Sequence, residues 1–201
     1  MIKAGTSALI LGDLQNDFLH PDGAYGRAGQ SSPATAALPD KLAPLVRAAR
    51  AHSILIVATL FTLVPGRGGA PIISPHLKAL RPFLRQGDFA PGGWGQQLVD
   101  DLAPADIAVE KIAFSAFYMS RLEWVLRKCG IEQLYFTGIV TNGGVASTVR
   151  DAHVRDFACT LVADGCAAFS EEAHDAAIEG LRPVAKILTL ADVMQQIATM
   201  T

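Results

Sequence analysis

"TGIVTNGGVASTVRDA", residues 137–152, begins as an uninterrupted apolar run and ends in a helical pattern, and the two meet at Gly143 and Gly144. Apolar residues without polar alternation suit a strand covered on both faces. A strand that passes directly into a helix is the repeating unit of a parallel sheet. The joint lies at the carboxyl end of its strand, which is where open α/β sheets bind ligands. Two glycines inside a helix would each cost ~1 kcal/mol relative to alanine, so the joint needs a physical reason. One is a tight turn that glycine fits. The other is an anion site, with bare backbone N–H groups at the positive end of the helix.

The same type of run recurs outward from this joint, as "SALILGD" (7–13), "SILIVATL" (53–60), "DIAVEK" (106–111), "QLYFTGIV" (133–140), "ACTLVAD" (158–164) and "AKILTL" (185–190). Helical patterns lie between and after these runs: "LPDKLAPLVRAARAH", "SRLEWVLRKCG", "GVASTVRDAHVRD", "SEEAHDAAIEGL" and "ADVMQQIATM". Strands alternating with helices predict an α/β protein, a three-layer α/β/α sandwich around a six-stranded parallel sheet. Ser120 and Glu123 have the spacing of a capping box, Lys128 sits in the last turn and Gly130 supplies a left-handed end for that helix. Residues 61–95 are rich in Gly and Pro and too long for a plain connection. They are expected to cover the substrate, with a short helix near 76–84.

Composition narrows the function. A chain of 201 residues suits one domain, residues 1–201. Half of it is apolar and 18% is charged, yet no stretch reaches the ~18 apolar residues that a membrane span requires. The N-terminal apolar run passes into acidic and polar residues without a cleavage site and reads as a first strand. Cys129, Cys159 and Cys166 are odd in number and lack CxxC spacing, which fits a reducing cytoplasm better than a disulfide framework. Seventeen basic against nineteen acidic side chains, with no basic cluster, give no footprint for nucleic acid or an anionic membrane. A small molecule is the expected partner. His20, His52, His76, His153 and His174 form no ligand pattern, and "GRGGAP" lacks dinucleotide-binding spacing. No metal and no cofactor are expected.

Asp13 and Lys111 close two of the predicted strands, in "LGDLQNDF" and "IAVEK". Each alone has an ordinary reading, a turn cap or a lysine reaching solvent. Brought together over a pocket, each would stabilise the charge of the other, and the lysine would hold a developing negative charge.

Three segments, "ALILGDLQNDF" (8–18), "VEKIAFSAFYMSRLEWVLRKCGIEQLYFTGIVTN" (109–142) and "STVRDAHVRDFACTLVADGCAAFSEEAHDAAI" (147–178), together resemble the isochorismatase-like hydrolases, also called the cysteine hydrolase superfamily. The resemblance implies a six-stranded parallel sheet, an Asp-Lys-Cys triad and a cis peptide ahead of the helix that bears the cysteine. Carried over residue by residue, the aspartate is Asp13, the lysine is Lys111 and the cis bond joins Ile139 to Val140. The backbone of Val140, Gly143 and Gly144 would face the oxyanion. The nucleophile's position is Gly144, which has no nucleophile. Ser147 is read as a packed helix serine, and Cys166 as a structural thiol. Members that resemble this chain in having glycine there act on vinyl ethers, protonating the substrate with the aspartate and capturing it with water. They carry "AH" before the glycine, whereas "VTNGGVASTVRDA" reads like the cysteine type with the thiol removed. The D-x-H zinc pattern of nicotinamidases does not occur.

These features imply a hydrolase of a small carboxylated or carbonyl-bearing metabolite, cleaving a vinyl-ether or amide C–N bond through Asp13, Lys111 and water. The alternatives are a catalytically degenerate ligand-binding member, or an amidase whose cysteine has been replaced by Gly144. Phe18, Trp94, Phe114, Phe117 and Tyr118 are the candidate pocket lining. A homodimer or homotetramer is implied by the family's habit.

Overall fold

The computed structural model describes residues 3–200. Strands β1 (Ser7–Gly12), β2 (Leu55–Phe61), β3 (Ile107–Lys111), β4 (Gln133–Ile139), β5 (Ala158–Ala167) and β6 (Lys186–Leu188) form one sheet in the order β3-β2-β1-β4-β5-β6. Every pairing is parallel, and each strand falls on one of the apolar runs. β5 runs on to Ala167 because its register against β4 slips between Phe136 and Gly138, so that Cys166 pairs with Gly138.

Strand alternation divides the apolar residues between two cores. Leu9 and Leu11 of β1 face one cluster, whereas Ala8 and Ile10 face the other. Single helical turns α1 (Asn16–Leu19), α2 (Ala24–Arg27) and α3 (Pro33–Ala36) follow β1 and lead into α4 (Leu38–Ala51). The connection from β2 to β3 carries α5 (Pro75–Leu80), and α6 (Leu122–Lys128) follows β3. α7 (Ala146–His153), α8 (Glu171–Leu181) and α9 (Leu190–Ala198) complete the chain. α4 and α9 cover the first face through Leu42, Leu45, Val193 and Ile197. α6, α7 and α8 cover the second through Leu122, Leu126, Val149, Ile178 and Leu181. Leu42 and Leu45 are fully excluded from water, and truncating either to alanine would cost about 2–5 kcal/mol.

Two local expectations differ from the structure. The helix after residue 120 has Arg121 as its N-cap with no side-chain cap. Ser120 Oγ donates to the Ala116 carbonyl and accepts from Leu122 N, while Glu123 pairs at 3.0 Å with Arg155, just beyond α7. An ion pair between elements thus replaces the local capping box. α5 ends at Leu80 and not near 84, because Arg81 precedes Pro82 and a residue before proline is disfavoured in the helical region; its φ of −131° and ψ of 62° are non-helical.

The chain order places a switch point between β1 and β4. From β1 the chain builds outward through β2 to β3, then returns to add β4 on the other side. Adjacent connections therefore leave β1 and β4 in opposite directions and open a crevice at their carboxyl ends.

Candidate active site

Asp13 is the first residue beyond β1, and its backbone is left-handed with φ of 56°, a conformation aspartate tolerates better than most side chains. Its N–H donates to Thr59 O at 3.0 Å. The turn folds the carboxylate back over the strand ends, where Oδ2 meets Lys111 Nζ at 2.7 Å and Oδ1 accepts from Thr59 Oγ1 at 3.4 Å. Lys111 closes β3 and reaches across β2 to make this pair. Its Nζ also donates to Ala113 O at 3.2 Å and Phe114 O at 3.0 Å, so the ammonium has an acceptor for each of its three protons. The Lys111 and Asp13 side chains are 3% and 7% exposed. Burial pushes the Asp13 carboxyl above the ordinary carboxylate value, while Lys111, Thr59 and the charge of Arg81 pull it back.

The rest of "LGDLQNDF" holds this carboxylate in place. Gln15 is buried; its Nε2 donates to Phe61 O and Gln96 O, and its Oε1 accepts from Phe61 N at 2.8 Å. One side chain thereby ties the β1 turn to the end of β2. Asp17 accepts from Ala24 N and Phe89 N, fastening the following loop to the end of the 61–95 connection.

The β4 side of the crevice is built on glycine. Gly138 has φ of 117°, and a Cβ there would fall 2.0 Å from Gly12 O, so only glycine lets β1 and β4 approach at this level. The Ile139–Val140 peptide is cis, and residues Thr141–Val145 form one π-type turn before α7. A Cβ on Gly144 would lie 3.0 Å from both Asp13 Oδ2 and Lys111 Nζ. The direction of the missing side chain is therefore straight into the ion pair. Gly143 stands differently: its N–H donates to Val140 O at 2.9 Å and it does not line the cavity. Its assignment to the oxyanion-facing backbone is corrected, because the tight turn already uses that donor. Val140 and Gly144 do line the cavity.

That cavity, about 280 Å³, opens over the pair. Its walls are largely apolar, with Phe18 and Phe114 on it as expected and Phe61, Leu77 and Ile112 in addition. Trp94, Phe117 and Tyr118 are not part of it. Trp94 is 48% exposed and meets the edge of His20. Phe117 is buried on the second face beside Phe157, and Tyr118 is 54% exposed. α5 brings Ser74, His76, Leu77 and Leu80 to the cavity, and Arg81 follows at its end. Within "SPHLKALRP", Ser74, which caps Leu77 N, and the Leu77/Leu80 spacing are signals that could have bounded that helix; nothing local marks Arg81.

The thiols lie elsewhere. Cys129 is exposed beyond α6. Cys159 and Cys166 are buried in β5, where burial pushes the Cys159 thiol up to about 11 and Cys166 also upward. Cys166 Sγ donates to Phe136 O at 3.7 Å and is absent from the cavity wall. Among the described residues no three His, Cys, Asp or Glu side chains come together as a metal site, and no helix is long and apolar enough to cross a membrane.

With this geometry established, comparison with known proteins is decisive at the level of family. The isochorismatase domain model matches residues 7–192. The chain belongs to the isochorismatase family. It is a hydrolase of that family, and the strand-end pair and the β4–α7 turn both fall within the matched residues. The chain is 37% identical over 172 residues to the ureidoacrylate amidohydrolase RutB of Methylorubrum extorquens, spanning 80% of this chain and 69% of that one. To the RutB of Klebsiella pneumoniae it is 38% identical over 162 residues, 75% and 69% of the two chains. Among solved structures, a cysteine hydrolase from Pseudomonas syringae superposes with a TM-score of 0.84 at 24% identity, over 98% of this chain and 95% of that one. The N-carbamoylsarcosine amidase of Thermoplasma acidophilum gives 0.70 at 21%, over 94% and 96%. At such identities these two show a common isochorismatase-like fold.

Proposed function

We propose that this isochorismatase-family chain hydrolyses a C–N bond of a small amide, ureido or carbamoyl compound, with Asp13 as general base, Lys111 as its electrostatic partner and water as nucleophile. The buried Asp13–Lys111 pair, facing a cavity beside a residue with no side chain, carries this assignment. Asp13 takes a proton from water, the hydroxide adds to the carbonyl carbon, the C–N bond breaks, and the proton passes from Asp13 to the leaving nitrogen. Lys111 supplies a fixed positive charge close to the negative charge that develops on the tetrahedral oxygen, in a site where water screens little. No acyl-enzyme forms, because Gly144 offers no attacking atom and no cysteine lines the cavity.

Cleavage of C–N in preference to C–O is supported by relatives named ureidoacrylate amidohydrolase at 37% and 38% identity. The cavity volume of about 280 Å³ falls just below the ~300–1,000 Å³ range of ligand sites, which suits a metabolite of modest size. The test is a panel of ureido acids, carbamoyl compounds, simple amides and vinyl ethers, assayed for amine or ammonia release and for carbonyl products. Turnover of a C–N substrate that is abolished by Asp13→Asn is the expected result. Turnover of vinyl ethers alone would move the chemistry to C–O cleavage, and full activity in Asp13→Asn would remove the aspartate from it.

A further inference from the structure

Arg81 brings a positive charge to the cavity wall, and no carboxylate among the described residues lies within ion-pair distance of it. Its guanidinium carbon stands 5.8 Å above the centre of the Tyr25 ring. Tyr25 is packed among Phe18, Phe83 and Phe89, only 3% exposed, and its hydroxyl is the one buried side-chain polar atom among the described residues with no hydrogen-bond partner. Arg81 acts on that hydroxyl through its charge and at hydrogen-bonding range, with no bond of regular geometry closed between them. Burial, opposed by Arg81, pushes the Tyr25 hydroxyl up to about 12, so it is a donor throughout the neutral range.

Unsatisfied buried polar groups are rare in folded proteins, and each one calls for an explanation. Here the Arg81 guanidinium stands on the wall of a largely apolar cavity, and the Tyr25 phenol lies beneath it, outside the lining. What they lack is an acceptor, and the planar fork of a guanidinium matches a carboxylate in two parallel hydrogen bonds. The only acid near the cavity floor, Asp13, is already held by Lys111 at 2.7 Å. The acceptor must therefore come with the ligand.

We infer that Arg81, supported from beneath by Tyr25, is the subsite that receives a carboxylate of the substrate, and that it makes the enzyme selective for anionic over neutral compounds. The inference rests on the proposed hydrolysis for its placement: the scissile carbonyl sits at Asp13, Lys111 and Gly144, and the carboxylate is separated from it by a short spacer lying against Phe18, Phe61 and Leu77. Arg81 is a binding residue here and takes no part in proton transfer.

Matched substrates test this, a ureido acid and its primary carboxamide, assayed with the intact chain and with Arg81→Gln, Arg81→Lys and Tyr25→Phe, all checked by thermal melts. Butyrate and butyramide binding are measured in parallel by calorimetry. In Arg81→Gln the KM for the acid is expected to rise about 10²-fold, the sum of two charge-assisted hydrogen bonds, with kcat little changed and the carboxamide unaffected. Arg81→Lys restores part of the loss, because an ammonium keeps the charge without the fork. Tyr25→Phe weakens the acid several-fold and raises the melting temperature of the free protein, which a purely structural tyrosine would not do together. Equal losses for acid and carboxamide, or no loss in Arg81→Gln, would overturn the subsite. Should no C–N substrate turn over, Arg81-dependent preference for butyrate over butyramide would retain the subsite while retiring the hydrolytic reading. Equal affinity for the two would remove the subsite whatever the activity.

Discussion

The two sides of the cavity are made differently. One side is the carboxyl edge of the sheet, where Asp13 and Lys111 are buried, mutually paired and supplied with further partners from Thr59, Ala113 and Phe114. The other is the 61–95 connection, where the short helix α5 is largely exposed and Arg81 has no acidic partner within ion-pair distance among the described residues. The first side has its hydrogen bonds complete before any ligand arrives. The second has donors to spare. The contrast locates proton transfer on the rigid scaffold, where small misplacement is costly, and recognition on a connection whose sequence can change without unfolding the sheet.

The largest expected effect separates the two sides by rate. Asp13→Asn should lower kcat by ~10²- to 10⁴-fold, as loss of a general base does, whereas Arg81→Gln should leave kcat nearly intact. A thiol-alkylating reagent should label Cys129 and leave turnover unchanged. Loss of activity in step with labelling of Cys166 would break the contrast by relocating the nucleophile.

Stability should divide in the same way. Lys111→Ala strands a buried carboxylate and is expected to cost about 3–5 kcal/mol in urea unfolding. Arg81→Ala, on a partly exposed side chain with no acidic partner and a cation–π contact to Tyr25, should cost no more than about 0.5–1 kcal/mol. Comparable losses from the two would mean that the connection is as structural as the sheet edge.

The pH dependence carries a definite sign. Burial holds the folded Asp13 pKa above its ordinary 3.8, and a base acts when ionised, so kcat/KM should rise with pH through that raised value. Its contribution to stability runs the other way. The folded state binds this proton more tightly than the unfolded chain, so that contribution is present below pH 3.8 and is lost as pH rises through the folded pKa. Thr59→Val removes a hydrogen bond that favours the ionised form and should move the acid limb of kcat/KM upward. A limb that falls with rising pH instead would identify Asp13 as an acid, as C–O cleavage requires.

The smallest effect is the most diagnostic for the recognition side. Tyr25→Phe deletes a buried hydroxyl that has no partner and should stabilise the free protein by about 1 kcal/mol, while a saturating carboxylate ligand should stabilise the parent more than the variant. Calorimetric melts with and without butyrate measure both.

The sequence by itself determined the sheet. Six apolar runs read as strands covered by helices, and all six pair in parallel, the inner strands largely buried and the edge strands β3 and β6 partly exposed. It also marked Asp13, Lys111 and Gly144, since strand ends and the resemblance to the isochorismatase-like hydrolases both pointed there. Tertiary structure alone decided which neighbours join them. Phe114, Phe117 and Tyr118 lie within five residues of one another, yet only Phe114 reaches the cavity, because the loop's path settles where each ring goes. Glu123 left its local cap for Arg155, and Gly143 gave its N–H to Val140. Arg81 and Tyr25 are separated by more than fifty residues and meet only when the 61–95 connection folds back onto α2. Local periodicity reports what a residue must hide from water. A pocket is assembled from segments distant in the chain, and its membership follows from the turns and long-range contacts that bring them together.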